Sequence, residues 1–128
     1  MSIIRRKCRE VKVGALAIGG DAPVLIQSMT TTDTSRVDST LEQIERLSRA
    51  GCELVRVAVP DREAVRSLPE LVSKSPLPLI ADIHFDHRLA LQALECGVPK
   101  VRINPGNIGG KEKFREVIRA ALSRGAAL

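Results

Sequence analysis

Four short, β-prone apolar runs alternate with four helical patterns along most of this chain, at residues 24–28, 54–59, 77–83 and 100–103 for the strands. Such alternation restricts the fold to right-handed βαβ units with a parallel sheet, either an open doubly wound sheet or a barrel. Polar residues inside the runs separate the two. Central strands of an open parallel sheet are covered by helices on both faces and read as apolar throughout. Here Arg56 lies between Val55 and Val57, Asp82 and His84 flank Ile83, and Arg102 and Asn104 flank Ile103, each late in its run. A side-chain period of two sends Val55, Val57, Ile83, Val101 and Ile103 toward an outer helix layer, and Arg56, Asp82, His84, Arg102 and Asn104 inward. The polar C-terminal mouth of a (β/α)8 barrel accommodates that arrangement. A complete barrel takes roughly 250 residues, about 31 per unit. The 128 residues here therefore supply about four units. The expected architecture is α/β, an N-terminal hairpin followed by four βα units, the first half of a TIM-type barrel. The expected chain is the N-terminal part of a longer enzyme.

Punctuation between the runs supports this layout. Residues 11–20 alternate short apolar stretches with glycines, the pattern of a small accessory hairpin. The first helix is expected to carry Leu41, Ile44 and Leu47 on one face, with Ser39 and Glu42 as a capping box and Gly51 as its stop. The second starts with Asp61 as N-cap and buries Ala64, Val65 and Leu68; Pro69 is expected to kink or split it before Leu71 and Val72. The third follows Asp86, buries Leu89, Ala93 and Leu94 and stops at Gly97. The fourth follows Gly109-Gly110 with Phe114, Val117, Ile118 and Leu122 as its apolar stripe and ends at Gly125. A fifth strand is expected to begin within residues 125–128.

Composition excludes several functions. Twenty Lys and Arg against fifteen Asp and Glu leave a net charge of +5, and fourteen of the twenty cations are Arg, the side chain suited to bidentate capture of phosphate or carboxylate. An anionic partner follows. Nucleic acid is a poor fit, because Phe85 and Phe114 are the only rings of Phe, Tyr or Trp type, and bases need such rings to stack on. Apart from Arg5-Arg6-Lys7 the cations are also scattered. No apolar run reaches membrane-spanning length and the first ten residues lack a signal-peptide core, so a cytoplasmic protein is expected. Cys8, Cys52 and Cys96 match neither a zinc motif nor a disulfide framework. They are read as reduced structural thiols, and no residue is assigned to a metal.

The chemistry is expected where the polar strand ends converge. Arg56 and Arg102 beside His84 form a cluster of donors suited to a doubly charged or polyphosphorylated ligand. A structural ion pair of Arg56 or Arg102 with Asp82 is the competing explanation, although one carboxylate cannot neutralise both arginines. His84 can donate to a phosphate or move a proton near neutral pH, and Asp82 can fix its tautomer or bind a substrate hydroxyl. These two are the catalytic candidates. Asn104 and Asn107 belong to a small-residue loop, 104–110, that leads into a helix and can cradle an anion with its N–H groups. Gln27 and Thr30, in the polar loop ending the first strand, complete the binding candidates. His87 is expected to face solvent.

Four segments, Gln27-Ser28-Met29-Thr30, Val55-Arg56-Val57-Ala58-Val59-Pro60, Ala81-Asp82-Ile83-His84-Phe85-Asp86 and Arg102-Ile103-Asn104-Pro105-Gly106-Asn107-Ile108-Gly109, resemble the 4-hydroxy-3-methylbut-2-enyl diphosphate synthase family of the non-mevalonate isoprenoid pathway. The hairpin segments Val11-Lys12-Val13-Gly14 and Ile18-Gly19-Gly20-Asp21-Ala22-Pro23 extend the resemblance over essentially the whole chain. The pattern departs at His87 and Pro99, where the family is expected to have Tyr and Asp. The resemblance implies a substrate-binding barrel, of which residues 1–128 are the N-terminal half, and a later domain carrying a four-iron four-sulfur cluster that this chain does not bind. It implies reductive ring opening of 2-C-methyl-D-erythritol 2,4-cyclodiphosphate, with ferredoxin or flavodoxin as electron donor, and a homodimer of the complete enzyme. In that family the barrel holds the diphosphate. The alternatives are a stand-alone phospholigand-binding α/β module and another barrel enzyme such as a pterin-binding synthase.

Overall fold

A computed structural model describes residue 4 and residues 6–128; Arg5 of the basic lead-in lies outside the described residues. Their elements run β1 (Val11–Val13), β2 (Leu16–Ile18), β3 (Gln27–Met29), α1 (Val37–Arg49), β4 (Leu54–Ala58), α2 (Arg62–Lys74), β5 (Leu79–Ile83), α3 (His87–Glu95), β6 (Lys100–Ile103) and α4 (Lys111–Arg124). Strands β3 to β6 pair in parallel in the order of the chain. A doubly wound sheet reverses its strand order partway, and among the described residues there is no reversal. The sequential order is that of barrel strands. Beyond α4, Ala127 forms a parallel bridge with Lys100, and the Val101 N–H donates to the Ala127 carbonyl at 3.0 Å. The expected fifth strand thus begins to pair with β6.

Each strand has two faces with different partners. Val55, Val57, Leu79, Ala81, Ile83 and Val101 are buried against the helix layer, where Ile44, Leu68, Leu71, Leu94 and Val117 meet them in one core. Burying an aliphatic side chain of this size is worth roughly 1.5–3 kcal/mol against exposure, so this contact holds the βα units together. On the opposite face the strand starts are apolar and the strand ends polar. Leu54, Ile80 and Ala127 form a second cluster with Val13, backed by Leu16, Ile18 and Leu25. The β1–β2 hairpin therefore covers the inner face at the N-terminal end of the strands. Its two-residue loop, Gly14-Ala15, has Gly14 at φ +58°, the position that favours glycine in such turns.

Several boundaries differ from the sequence pattern. The first strand was expected from residue 24, but pairing starts at Gln27 opposite Leu54. Just before it, Glu53 engages Ile26: its carboxylate accepts the Ile26 N–H at 2.8 Å and its own N–H donates to the Ile26 carbonyl. That leaves Val24 and Ile26 exposed. Strand β5 starts at Leu79 because Pro78 offers only a carbonyl, which accepts from the Val55 N–H. Strand β4 ends at Ala58, one residue before the expected end.

The capping box at Ser39 and Glu42 does not form. Helix α1 begins at Val37, and Ser39 lies inside it with its hydroxyl donating to the Arg36 carbonyl. The turn that delivers the chain is made earlier: Asp33 Oδ1 accepts from the Ser35 N–H at 3.0 Å and the Asp33 carbonyl accepts from the Arg36 N–H. Helix α2 is not split at Pro69 either. It runs unbroken from Arg62 to Lys74, with Asp61 capping the Ala64 N–H at 2.9 Å. Pro69 removes the donor that the Val65 carbonyl would normally receive. The Cys96 thiol, at the C-cap of α3, stands 3.8 Å from that carbonyl and donates to it, a weak substitute. In α4 the inner stripe is Phe114, Val117 and Ala121, while Leu122 is exposed rather than buried. Of the three thiols expected to be structural, Cys52 is buried and Cys96 half-buried, whereas Cys8 is exposed.

Candidate functional site

The polar residues expected to converge are carried by neighbouring strands. Register places Arg102 directly beside Asp82, and Ala58 on Asp82's other side. Ala58 ends at Cβ, so Arg56, two residues earlier on the same face, reaches across to Asp82. The Asp82 side chain is 1% exposed and divides its oxygens between the two arginines. Its Oδ1 accepts a hydrogen bond from Arg102 Nη1 at 3.1 Å. Its Oδ2 lies 3.1 Å from Arg56 Nε. That Nε–H is not aimed at the carboxylate, however, and the buried atom has no hydrogen-bond partner.

A lone buried carboxylate is costly, and two guanidiniums offset that cost here. They over-compensate by one positive charge. The expected choice between an Arg56–Asp82 and an Arg102–Asp82 pair therefore resolves into both, with a cation left over. Arg56 and Arg102 remain 32% and 42% exposed, so their tips are reachable from solvent. His84, one step further along β5's inner parity, has Nε2 3.9 Å from Asp82 Oδ2 and is itself exposed.

The other candidates are less closely joined. Asn104 is exposed, with Oδ1 accepting from the Gly106 N–H at 3.0 Å and its carbonyl from the Asn107 N–H at 2.9 Å. It shapes the loop, and Asn107 is exposed in the same turn. Gln27 lies on the inner face at the start of β3, level with Leu54. Thr30 has the opposite strand parity; it is buried, and its hydroxyl has no partner. The loop after it is fastened to α1 by Gln43, whose Oε1 accepts from the Thr31 and Thr32 N–H groups and whose Nε2 donates to the Thr31 hydroxyl.

Two features escaped the sequence reading. Met29 pairs in register with Arg56, and its Sδ takes a contact from Arg56 Nη2 at 3.5 Å. Strand parity counted back from Arg56 through the register was the available signal, but pairing register is not written in one strand alone. His87, expected in solvent, is 15% exposed and lies between helices, with Nε2 3.4 Å from Glu116 on α4 and Nδ1 3.9 Å from Asp86. Packing of α4 against α3 brings Glu116 within reach of it.

Asp86, at the end of the β5–α3 turn, caps the Arg88 N–H and receives the Arg88 guanidinium at 2.8–3.2 Å. That side-chain hydrogen bond, more than the backbone one, lowers the Asp86 carboxyl from 3.8 to about 2. Burial, helped by the neighbouring Glu95 charge, pushes the Cys96 thiol upward, which favours the inert protonated form. The Cys52 thiol donates to the Leu54 carbonyl at 2.9 Å. Among the described residues no group of three or more His, Cys, Asp or Glu converges to hold a metal ion. The three cysteines are placed apart and do not make a cluster site. Nor is any helix among them long and apolar enough to cross a membrane.

Comparison with known proteins places these features in a family context. The GcpE TIM-barrel domain family matches residues 8–128. The 4-hydroxy-3-methylbut-2-en-1-yl diphosphate synthase (flavodoxin) of Geobacillus thermodenitrificans is 56% identical over 126 residues, covering 98% of this chain and 34% of that protein. The protein of the same description from Aquifex aeolicus is 55% identical over 126 residues, 98% of this chain and 35% of its own length. The chain thus spans about a third of the length of the curated relatives it matches. Among solved structures, Yersinia pestis dihydropteroate synthase superposes with a TM-score of 0.49 at 11% identity, covering 92% of this chain and 60% of that one, too remote to carry an inference.

Proposed function

The chain belongs to the GcpE TIM-barrel domain family, and from that membership we propose that it is the first half of the substrate-binding barrel of a 4-hydroxy-3-methylbut-2-enyl diphosphate synthase. In that reading it contributes to gripping the diphosphate of 2-C-methyl-D-erythritol 2,4-cyclodiphosphate. The observation that carries the proposal is the pair Arg56 and Arg102, held on one buried carboxylate of β5 toward the C-terminal ends of the flanking strands β4 and β6, with one positive charge uncompensated. Active sites of this fold are built at that end. A guanidinium presents five donors in a fixed fork, so the two arginines together offer a diphosphate more donors than Asp82 can accept.

His84 is the acid–base candidate of this cluster, or a donor to a phosphoryl oxygen. Asn104 and Asn107 shape the loop that follows β6, whereas Gln27 stands at the N-terminal end of β3, level with Leu54, and Thr30 has the opposite parity, so neither is assigned a contact with the two guanidiniums. Ring opening of this substrate is reductive, and the names of the relatives point to flavodoxin as the electron source of the complete enzyme, ferredoxin being the alternative. The iron-sulfur cluster that would pass those electrons on finds no ligand set among the described residues of this chain. No redox step is assigned to these residues; their part is binding and orientation. A homodimer of the complete enzyme belongs to the same proposal.

The direct test is calorimetry with inorganic pyrophosphate on the purified chain and on Arg56→Met and Arg102→Met. Methionine keeps much of the apolar stem and removes the donors. Loss of one charge-assisted contact is expected to cost about 2–5 kcal/mol where the site is desolvated, and less in proportion to the exposure of these tips. Arg62→Met, on the exposed side of α2, serves as the control and is expected to change little. Equal affinity in all four proteins, with melting curves intact, would reduce both arginines to structural ion-pair residues.

A further inference from the structure

The role of Asp82 goes further than the sequence assigns. Resting on the diphosphate reading above, we propose that Asp82 is a positioning residue, an internal carboxylate that orients Arg56 and Arg102 for an anion and is not itself the proton carrier. Its place is set by the backbone. Strand β5 has β4 and β6 paired on either side, and Asp82 stands on its inner face nearly out of solvent. Oδ1 accepts a hydrogen bond from Arg102, and Oδ2 is ion-paired with Arg56 at 3.1 Å without one. At 1% exposure, behind the two guanidiniums, this carboxylate has little reach to a substrate hydroxyl.

The guanidiniums keep donors in reserve. Arg102 spends Nη1 on Asp82, while Arg56 turns Nη2 to a thioether, a weak acceptor, and leaves Nε–H without a bond. The arginines spring from strands two apart in the sheet, roughly 10 Å between backbones. The carboxylate draws their charged ends to a common point. Without it, two like charges on flexible stems would separate, and an incoming anion would have to bring them together at an entropic cost.

This gives a prediction opposite in sign to simple charge counting. Asp82→Asn raises the net charge of the cluster, so a merely electrostatic site would bind anions more tightly. A pre-oriented site binds them more weakly, by about tenfold or more, because small displacements of oriented groups are expensive. The experiment measures two quantities on the 15N-labelled chain, pyrophosphate affinity by calorimetry and the relaxation of the Arg56 and Arg102 Nε–H groups without ligand. In Asp82→Asn both side chains are expected to gain fast mobility and affinity is expected to fall, with the melting midpoint showing that the fold persists. Unchanged Nε–H order, or affinity equal to or tighter than wild type, overturns the proposal. If the unaltered chain binds no pyrophosphate, the diphosphate reading fails, while the Nε–H relaxation still decides whether Asp82 positions the arginines. Should Asp82→Asn not fold, Asp82→Glu keeps the charge but displaces it by one methylene. It is expected to show the same losses, and wild-type order and affinity in that variant overturn the proposal as well.

Discussion

Asp86 shows how much one side chain settles at the mouth of this sheet. Its carboxylate caps α3 and receives the Arg88 guanidinium, and that hydrogen bond holds the carboxyl at about 2, below its ordinary 3.8. A group whose folded value is depressed stabilises the protein fully above its unfolded value and loses that contribution as pH falls through the folded one. The stabilisation by Asp86 is therefore expected to be intact above about pH 4 and to vanish toward about pH 2. Asp86→Asn keeps an N-cap acceptor without the titration. Chemical denaturation at about pH 5 and about pH 2.5 is expected to show a larger acid loss for wild type than for Asp86→Asn. Parallel losses would assign the acid sensitivity to other carboxylates. The Asp86 cap was legible from the sequence, because a helix start needs an acceptor within reach of its first free N–H groups. The burial of His87 beside it was not. Glu116, which it meets, lies 29 positions further along the chain.

At the scale of elements, α2 carries the one proline that its pattern made look like a break. The helix continues because it is anchored on both sides of Pro69: Val65 and Leu68 are buried before it, and Leu71 is buried after it. An interior proline costs a helix about 3 kcal/mol relative to alanine, and restriction of the unfolded chain returns up to about 1 kcal/mol. Pro69→Ala restores a donor to the Val65 carbonyl and is expected to stabilise the chain by at least about 1 kcal/mol, raising the melting midpoint by several degrees. A lower midpoint would mean that the proline ring itself packs usefully. The same contest between local signal and packing explains α1. A good capping box was available at Ser39, yet the Asp33 turn and the Thr40 hydroxyl bond to the Asp33 carbonyl start the helix three residues earlier. Helix interiors were readable from spacing; helix ends were decided by whichever turn formed.

Across the whole molecule, the sheet has unequal edges. β6 meets Ala127 on its outer side, whereas the outer edge of β3 has no partner among the described residues and is preceded by Val24 and Ile26 at 78% and 60% exposure. An open, apolar strand edge invites pairing with another chain. Sedimentation velocity on the isolated 128-residue chain is expected to show association that grows with concentration, and Ile26→Lys is expected to suppress it. A monodisperse monomer at high concentration would count against an open edge. The choice of a barrel-type α/β architecture, the direction in which Arg56, Asp82 and Arg102 face, and the apolar layer behind them all followed from the sequence. Alternation with period two and period 3.6 is a local property, and each residue carries it without knowing its neighbours in space. What only the tertiary structure decided is which of those inward groups meet. Arg102 lies beside Asp82 and Arg56 reaches it diagonally past Ala58 because of strand register, Met29 joins them for the same reason, and Asn104 turns back on its own loop. Register is a relation between strands separated by some twenty residues or more, fixed by the packing of the helices between them, and no single strand encodes it.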